Sequence, residues 1–173
     1  MKKILREANL MMKDAIETAI KMETDAIAFY TEAADKTSHP FGKEMFKGFT
    51  KDEARHLKIL QDVFKGCDVE AELVRPRETI KTVFSELKNE MMQRVKALDT
   101  EYEAVNIALG FEKEGFLFYK KASANAASQT EKVLFEKLAL EENDHYTILL
   151  ETQKFLENTG HWYMYEERGI VEG

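Results

Sequence analysis

Six titratable side chains stand at positions where amphipathic helices should carry apolar residues. They are four glutamates and two histidines, namely Glu23, Glu53, Glu112, Glu142, His56 and His145. Apolar residues flank them at helical spacing, as Leu138 and Leu149 flank Glu142 and His145, so the six lie on core-facing stripes. Burying one unpaired carboxylate costs several kcal/mol, whereas a whole protein is stable by only about 5–15 kcal/mol. The sequence therefore predicts that cations meet these carboxylates.

The same residues occur in two copies at one constant spacing. The first copy, from Glu23 to His56, recurs 89 positions later as the copy from Glu112 to His145. Other residues match at the same offset, and these pairs include Tyr30 with Tyr119, Phe46 with Phe135 and Leu60 with Leu149. Each copy supplies one Glu and one Glu-x-x-His, so the chain is predicted to be a duplicated helix pair.

Hydrophobic periodicity and turn residues predict four main helices, with a connection between the second and the third. Their expected bounds are about 9–35, 43–65, 101–125 and 131–158, and turn formers between Thr37 and Gly42 are expected to end the first helix. An amphipathic stretch at 80–98 predicts an extra helix in the connection. The predicted fold class is all-α, a four-helix bundle of two duplicated helix hairpins with an extra crossover helix and a C-terminal tail.

The length of 173 residues favours one domain spanning 1–173. Its expected parts are hairpin one at about 9–65, the crossover at about 66–100, hairpin two at about 101–158 and the tail at 159–173. An aromatic cluster at 161–165 in the tail is expected either to cap the bundle end or to dock against a neighbouring subunit.

Composition excludes several classes of function. The net charge of −7 argues against a nucleic-acid partner. Cys67 is the only cysteine, so neither a disulfide framework nor a Cys-rich metal site is expected. No apolar run approaches the roughly 20 residues of a membrane span, and the N-terminus lacks the apolar core of a secretory signal. A cytoplasmic protein without a membrane partner is the expectation.

A Glu and a His three positions apart on a helix point to one face, where they can hold one ion or bridge two. The four predicted inward glutamates carry four negative charges, which two divalent cations would balance. An oxygen-rich ligand set favours iron or manganese over tetrahedral zinc. The alternative interpretation is a decayed site held together by buried hydrogen bonds.

The motifs resemble those of the ferritin-like superfamily, and most closely its rubrerythrin-type branch. The residues that carry the resemblance are Glu23 in METDAIAFY, Glu53 and His56 in DEARH, Glu112 in FEKEGFLFY, and Glu142 and His145 in EENDH. The resemblance implies a four-helix bundle with a non-haem diiron centre at mid-height, and redox chemistry with hydrogen peroxide or dioxygen.

The chain departs from the relatives in three ways. Two-domain rubrerythrins carry a rubredoxin-like module with two Cys-x-x-Cys pairs, so here a separate electron donor is expected, with a rubredoxin-like protein as one candidate. Rubrerythrins add a carboxylate three residues after the third-helix Glu, where this chain has Gly115. Bacterioferritins place a haem-binding Met after the second-helix Glu, where this chain has Ala54, so no haem is expected.

Two tyrosines, Tyr30 and Tyr119, lie on the same stripes as the glutamates. They are expected to donate hydrogen bonds to ligand carboxylates across the bundle and to orient ligands or relay protons. The alternative is that each is a large core side chain with a satisfied hydroxyl. Other polar residues are expected at the surface or in the tail, and these are His39, His161, Glu101, Glu103 and Glu114.

The leading functional hypothesis is a non-haem diiron oxidoreductase, rubrerythrin-like, that reduces hydrogen peroxide or dioxygen. Its cofactors would be two iron ions, with manganese as the alternative metal, and a homodimer is expected. Three other hypotheses stay open at this point. They are a ferroxidase that stores iron in a ferritin-like shell, a dimanganese catalase, and a purely structural bundle.

Overall fold

The computed structural model describes residues 2–66 and 99–161, with side chains from Met12 onward in the first range. Four α-helices account for nearly all of these residues. They are α1 at Lys2–Lys36, α2 at Pro40–Phe64, α3 at Asp99–Ala124 and α4 at Gln129–Thr159. The all-α four-helix fold predicted from the sequence is confirmed.

The helices pack as two antiparallel hairpins, because only short turns separate α1 from α2 and α3 from α4. The backbone of α1 lies along α2 and that of α3 along α4, while α1 also contacts α3. Hairpin two is held at its turn by a capping box, in which Ser128 accepts from the Glu131 amide and Glu131 accepts from the Ser128 amide. Helix α4 ends at Thr159 and is capped by Gly160, whose φ of 65° is a left-handed conformation that suits glycine.

The start of α2 differs from the sequence-based expectation. Pro40 and Gly42 were expected in the turn, yet α2 begins at Pro40. The reason is a cap: the ring nitrogen Nδ1 of His39 accepts a hydrogen bond from the Phe41 amide at 3.2 Å, and proline is well suited to the first helical position. His39 was expected at the surface and is instead fully buried, because a cap at the base of α2 faces the bundle.

Glu101 is a second polar residue that was wrongly expected in a solvated face. It is only 2% exposed, and its Oε1 accepts hydrogen bonds from the Ser38 amide at 2.6 Å and from the Ser38 hydroxyl at 2.8 Å. The first turn of α3 therefore lies against the α1–α2 turn. Glu103 and Glu114, in contrast, are exposed as expected.

Two apolar clusters form the core, each drawn from all four helices. One contains residues from the α1–α2 turn half of the bundle, including Tyr30, Phe41, Phe46, Phe49, Val105 and Leu149. The other contains residues from the opposite half, including Ile16, Leu60, Tyr119, Leu134, Phe135 and Leu138. Between these clusters along every helix stand the six titratable residues, so the fold places them at mid-height.

Two expectations fall outside the described residues: the extra helix at 80–98 and most of the aromatic tail cluster. His161, the first residue of that cluster, is described and is half-buried, with its Nδ1 2.6 Å from the Thr159 carbonyl. None of the described helices has the length and apolar character that crossing a membrane requires.

Candidate metal centre

All six predicted site residues meet inside the bundle. Each of the four helices contributes at least one of them, and none is more than 5% exposed. Glu23 comes from α1 and Glu112 from α3, while the two Glu-x-x-His pairs come from α2 and α4. The 3.6-residue period of each helix explains this arrangement, because apolar neighbours at the same spacing bury the same face.

Their ligand atoms form two overlapping sets of four, and within each set these atoms lie within 4.8 Å of one another. The first set is Glu23, Glu53, His56 and Glu142. The second set is Glu53, Glu112, Glu142 and His145. Glu53 and Glu142 belong to both, whereas each set has its own His and its own further Glu. This is the arrangement of two neighbouring ion positions with two shared carboxylates.

Both imidazole rings turn Nδ1 toward the centre. In His56, Nδ1 lies 2.8 Å from Glu53 Oε2 and 3.3 Å from Glu142 Oε1. In His145, Nδ1 lies 3.1 Å from Glu53 Oε1. These contacts have ion-pair distances but lack hydrogen-bond geometry, so within the described part of the chain both Nδ1 atoms have no hydrogen-bond partner.

The outer ring nitrogens are held by two carboxylates that the sequence reasoning missed. His56 Nε2 lies 3.0 Å from Glu141 Oε2, and His145 Nε2 lies 3.1 Å from Asp52 Oδ2. Arg55 in turn donates to Glu141. A carboxylate on the far nitrogen fixes the ring orientation and leaves the near nitrogen free to bind a metal. The sequence contains a pattern that could have identified them. Asp52 and Glu141 each directly precede a predicted ligand Glu, and they correspond to each other in the 89-residue repeat.

The two tyrosines connect the hairpins at the site. The hydroxyl of Tyr30, in hairpin one, donates to Glu112 of hairpin two, and that of Tyr119 donates to Glu23 in return. Burial and the nearby carboxylates raise the pKa of both hydroxyls well above the ordinary value. Each hydroxyl therefore keeps its proton and serves as a donor to the carboxylate it orients.

Gly115 faces Glu142 so closely that no larger residue fits without a shift. A Cβ atom at position 115 would lie 2.5 Å from Glu142 Oε2 and 3.2 Å from its Cδ. The space that a side chain would take at this position is therefore occupied by the Glu142 carboxylate. Gly115 thus makes room for Glu142, and the six-residue set has no seventh carboxylate at position 115.

Several inward-facing carboxylate oxygens, like the two Nδ1 atoms, are buried without a hydrogen-bond partner among the described residues. In the described part of the chain, both carboxylate oxygens of Glu53, Oε2 of Glu112 and Oε1 of Glu142 are buried without a hydrogen-bond partner. Leaving buried polar atoms unpaired is costly. Metal ions would satisfy them together, whereas a site held by hydrogen bonds alone would not leave them unpaired. The donor set therefore fits two divalent cations.

Without metal, protons balance the charge of the cluster. Burial, together with the charge of Glu53, raises the pKa of Glu23 to about 7. Burial and the charges of Glu53 and Glu112 raise the pKa of Glu142 well above its ordinary range. Burial alone would raise the pKa of Glu53, but His145 and His56 hold it below its usual range.

For the two histidines, burial lowers the pKa and the neighbouring carboxylate charges raise it. Burial favours the neutral ring of His56, but the charge of Glu53 and the hydrogen bond with Glu141 outweigh it, so the pKa of His56 lies well above its ordinary value. The pKa of His145 is raised likewise, with Glu112 and Glu53 outweighing burial. Metal ions entering this site must therefore displace protons.

Comparison with known proteins identifies the family of this chain. The family model described as Rubrerythrin matches residues 14–153, a range that contains all six cluster residues and both tyrosines. Searches of curated proteins and of solved structures found no match. A match over most of the chain, together with the fold and the buried Glu/His cluster, establishes that this chain belongs to the rubrerythrin family.

Proposed function

We propose that this protein is a non-haem diiron oxidoreductase that reduces hydrogen peroxide or dioxygen. The observation that carries the proposal is the pair of overlapping ligand sets, which share Glu53 and Glu142 and are each completed by one His and one further Glu. Two divalent cations would balance the four carboxylates, whose burial without a partner would be costly. Oxygen-rich ligation favours iron, with manganese as the alternative.

The four glutamates and two histidines would hold two iron ions, and these would supply redox chemistry between the ferrous and ferric states. Reduction of one hydrogen peroxide molecule to two water molecules takes two electrons and two protons. The electrons would come from a separate donor, for which a rubredoxin-like protein is one candidate, and the protons from solvent.

The protein's own groups would hold the ligands in place. Asp52 and Glu141 fix the outer nitrogens of the two histidines, so that Nδ1 of each ring faces the metal positions. Arg55 binds Glu141 and lies 3.5 Å from Asp52 Oδ1, so a single guanidinium steadies both outer carboxylates. Removing a supporting contact of this kind typically lowers metal affinity or activity by about 10–100-fold.

Aromatic rings pack beside the site in both halves of the bundle. The Tyr30 ring stacks on Phe46 and the Tyr119 ring stacks on Phe135, with ring centroids 6.0 Å apart in each pair. Phe49 packs against the His145 ring at 4.4 Å. Apolar surroundings of this kind strengthen the electrostatic interactions inside the site, while the tyrosine hydroxyls hold protons beside Glu112 and Glu23.

The test is a stopped-flow comparison of the diferrous protein mixed with hydrogen peroxide or with dioxygen. We expect oxidation of about two irons per chain, faster with peroxide, and loss of both metal and reaction in Glu53→Ala. The matched control is Glu103→Ala, an exposed glutamate of α3 outside the cluster. Faster reaction with dioxygen, followed by continued iron uptake, would point to ferroxidase and storage. A Glu53→Ala variant that reacts like the wild type would refute the proposal.

A further inference from the structure

A cavity joins the surface of the bundle to the metal centre between α1 and α3. Its volume is about 160 Å³. At its inner end it is lined by four of the cluster carboxylates, which are Glu23, Glu53, Glu112 and Glu142. At its outer end it is lined by Asp25 and Glu114, both of which are exposed. The cavity therefore connects solvent-facing carboxylates with buried ones.

The lining follows the internal repeat. Met22 corresponds to Phe111, Asp25 to Glu114 and Ala26 to Gly115, and each pair is separated by the same 89 positions as the ligands. Matching positions of the two hairpins therefore line the cavity. Small residues at positions 26 and 115 leave room where α1 and α3 pass each other.

The inner end of the cavity is lined by glutamates whose buried carboxylate oxygens could bind a cation. Glu142 lines the cavity, is only 5% exposed, and its Oε1 has no hydrogen-bond partner within the described residues. The same holds for both oxygens of Glu53, which is 1% exposed. Because the residues that carry these buried oxygens line the cavity, an ion that passes along it would reach its ligands directly.

The two carboxylates at the outer end of the cavity, Asp25 and Glu114, differ in whether a lysine stands four residues before them. Asp25 is paired with Lys21 at 2.5 Å, which neutralises part of its charge. The position that corresponds to Lys21 in the second copy is Gly110, so the repeat provides no such lysine for Glu114. Clefts lined by one sign of charge attract ions of the other sign and raise their association rates by about 10–1000-fold. Neutral hydrogen peroxide would gain nothing from this charge, whereas a divalent cation would.

We propose that this cavity is the route by which divalent metal ions reach the centre, with Glu114 as the outer carboxylate that attracts them. The inference rests on the metal-binding part of the proposed function and is independent of the oxidant. Ions would pass from Glu114 along Ala26 and Gly115 to Glu142 and Glu53. The route predicts that charge and width at the mouth control the rate of loading and leave the final occupancy unchanged.

The test follows the anaerobic binding of Co²⁺ to the metal-free, full-length protein by stopped-flow absorption. Glu114→Gln should lower the second-order loading rate about tenfold at low ionic strength, with the same number of Co²⁺ ions per chain at equilibrium. The difference should shrink at high salt, because screening weakens the attraction. The matched control is Glu103→Gln, which removes the same charge from the same exposed side of α3 but lines a different groove. It should load at the wild-type rate.

A second variant, Ala26→Leu, narrows the cavity without changing a predicted ligand and should also slow loading. If it fails to reach the wild-type endpoint, the surface variant Glu114→Gln decides alone. Wild-type loading rates in Glu114→Gln, or equal slowing by Glu103→Gln, would overturn the route while leaving the metal site intact. Failure of the wild-type protein to bind Co²⁺ at all would contradict the proposed site itself, and the route with it.

Discussion

At the scale of single residues, position 115 and Glu142 compete for the same space. Gly115→Ala would place a Cβ 2.5 Å from Glu142 Oε2, so the carboxylate must move away from its shared position. We expect this variant to bind metal at least tenfold more weakly, since a displaced ligand loses its geometry. Competition titration with a chelator measures the change.

The matched control is Gly110→Ala on the same helix, where a Cβ would meet nothing within 4 Å. Replacing a helix-interior glycine by alanine stabilises by about 0.5–1 kcal/mol, so this variant should gain stability and keep the wild-type metal affinity. Equal metal affinity in the two alanine variants would refute the role assigned to Gly115.

The tyrosines allow a second test at this scale. Tyr30→Phe and Tyr119→Phe each remove one hydroxyl that donates to a cluster carboxylate of the other hairpin. Each should lower metal affinity by about 10–100-fold, as expected for the loss of a hydrogen bond to a ligand. Tyr102→Phe is the control, because that hydroxyl donates to Glu157 outside the cluster. A loss no larger than that of Tyr102→Phe would mean that the two buried tyrosines act only as core side chains.

The sequence predicted the positions of the six cluster residues because their polarity contradicts the apolar stripe on which each one lies. It did not predict Asp52 and Glu141, because an acidic residue beside a ligand can equally face solvent. The repeat offset that relates them would have distinguished the two cases. The burial of His39 and Glu101 was missed for another reason: it depends on how the α1–α2 turn meets α3, which is a tertiary contact without a local pattern.

At the scale of elements, helix periodicity predicted the four helices, while their ends were set by capping. Helix α4 begins at a capping box formed by Ser128 and Glu131, and short turns of this kind keep the hairpins antiparallel. Ser128→Ala removes the side-chain acceptor and should cost about 1 kcal/mol of unfolding free energy. Urea denaturation measures this loss.

Metal stoichiometry should be unchanged in Ser128→Ala, because the cap lies a helix half-length from Glu142. The half-buried Thr147→Ala is a suitable comparison, since the Thr147 hydroxyl donates to the Asn143 carbonyl of its own helix and caps no helix end. A cap variant as stable as the wild type would show that tertiary packing alone fixes the start of α4.

At the scale of the whole molecule, the centre joins the two hairpins and makes stability depend on pH. Glu23 has its pKa raised to about 7 in the folded state, so its contribution is present below pH 4.5 and is lost as the pH rises through 7. The raised pKa values of His56 and His145 act in the same direction above pH 6.5. The pKa of His39, which burial lowers to about 4, acts in the opposite direction and offsets only part of the loss. The metal-free protein should therefore be less stable at pH 8 than at pH 5, by roughly 2 kcal/mol from Glu23 alone.

Metal reverses this trend. Binding requires deprotonated ligands, so the stability that metal adds should grow from pH 5 to pH 8. Urea unfolding with and without metal at the two pH values measures both trends, and Glu23→Gln should reduce the loss of metal-free stability between pH 5 and pH 8. Metal-free stability that rises between pH 5 and pH 8 would contradict the assigned charge balance.

The most direct test of the central claim is the number of divalent ions that the metal-free protein binds tightly. Anaerobic titration with Fe²⁺, read by metal analysis after removal of free ions, should reach about two ions per chain, as expected for two ligand sets that share Glu53 and Glu142. Glu53→Ala should weaken the binding of both ions, because Glu53 belongs to both ligand sets. A wild-type endpoint of no ions, or of a single ion, would contradict a dinuclear centre in this bundle.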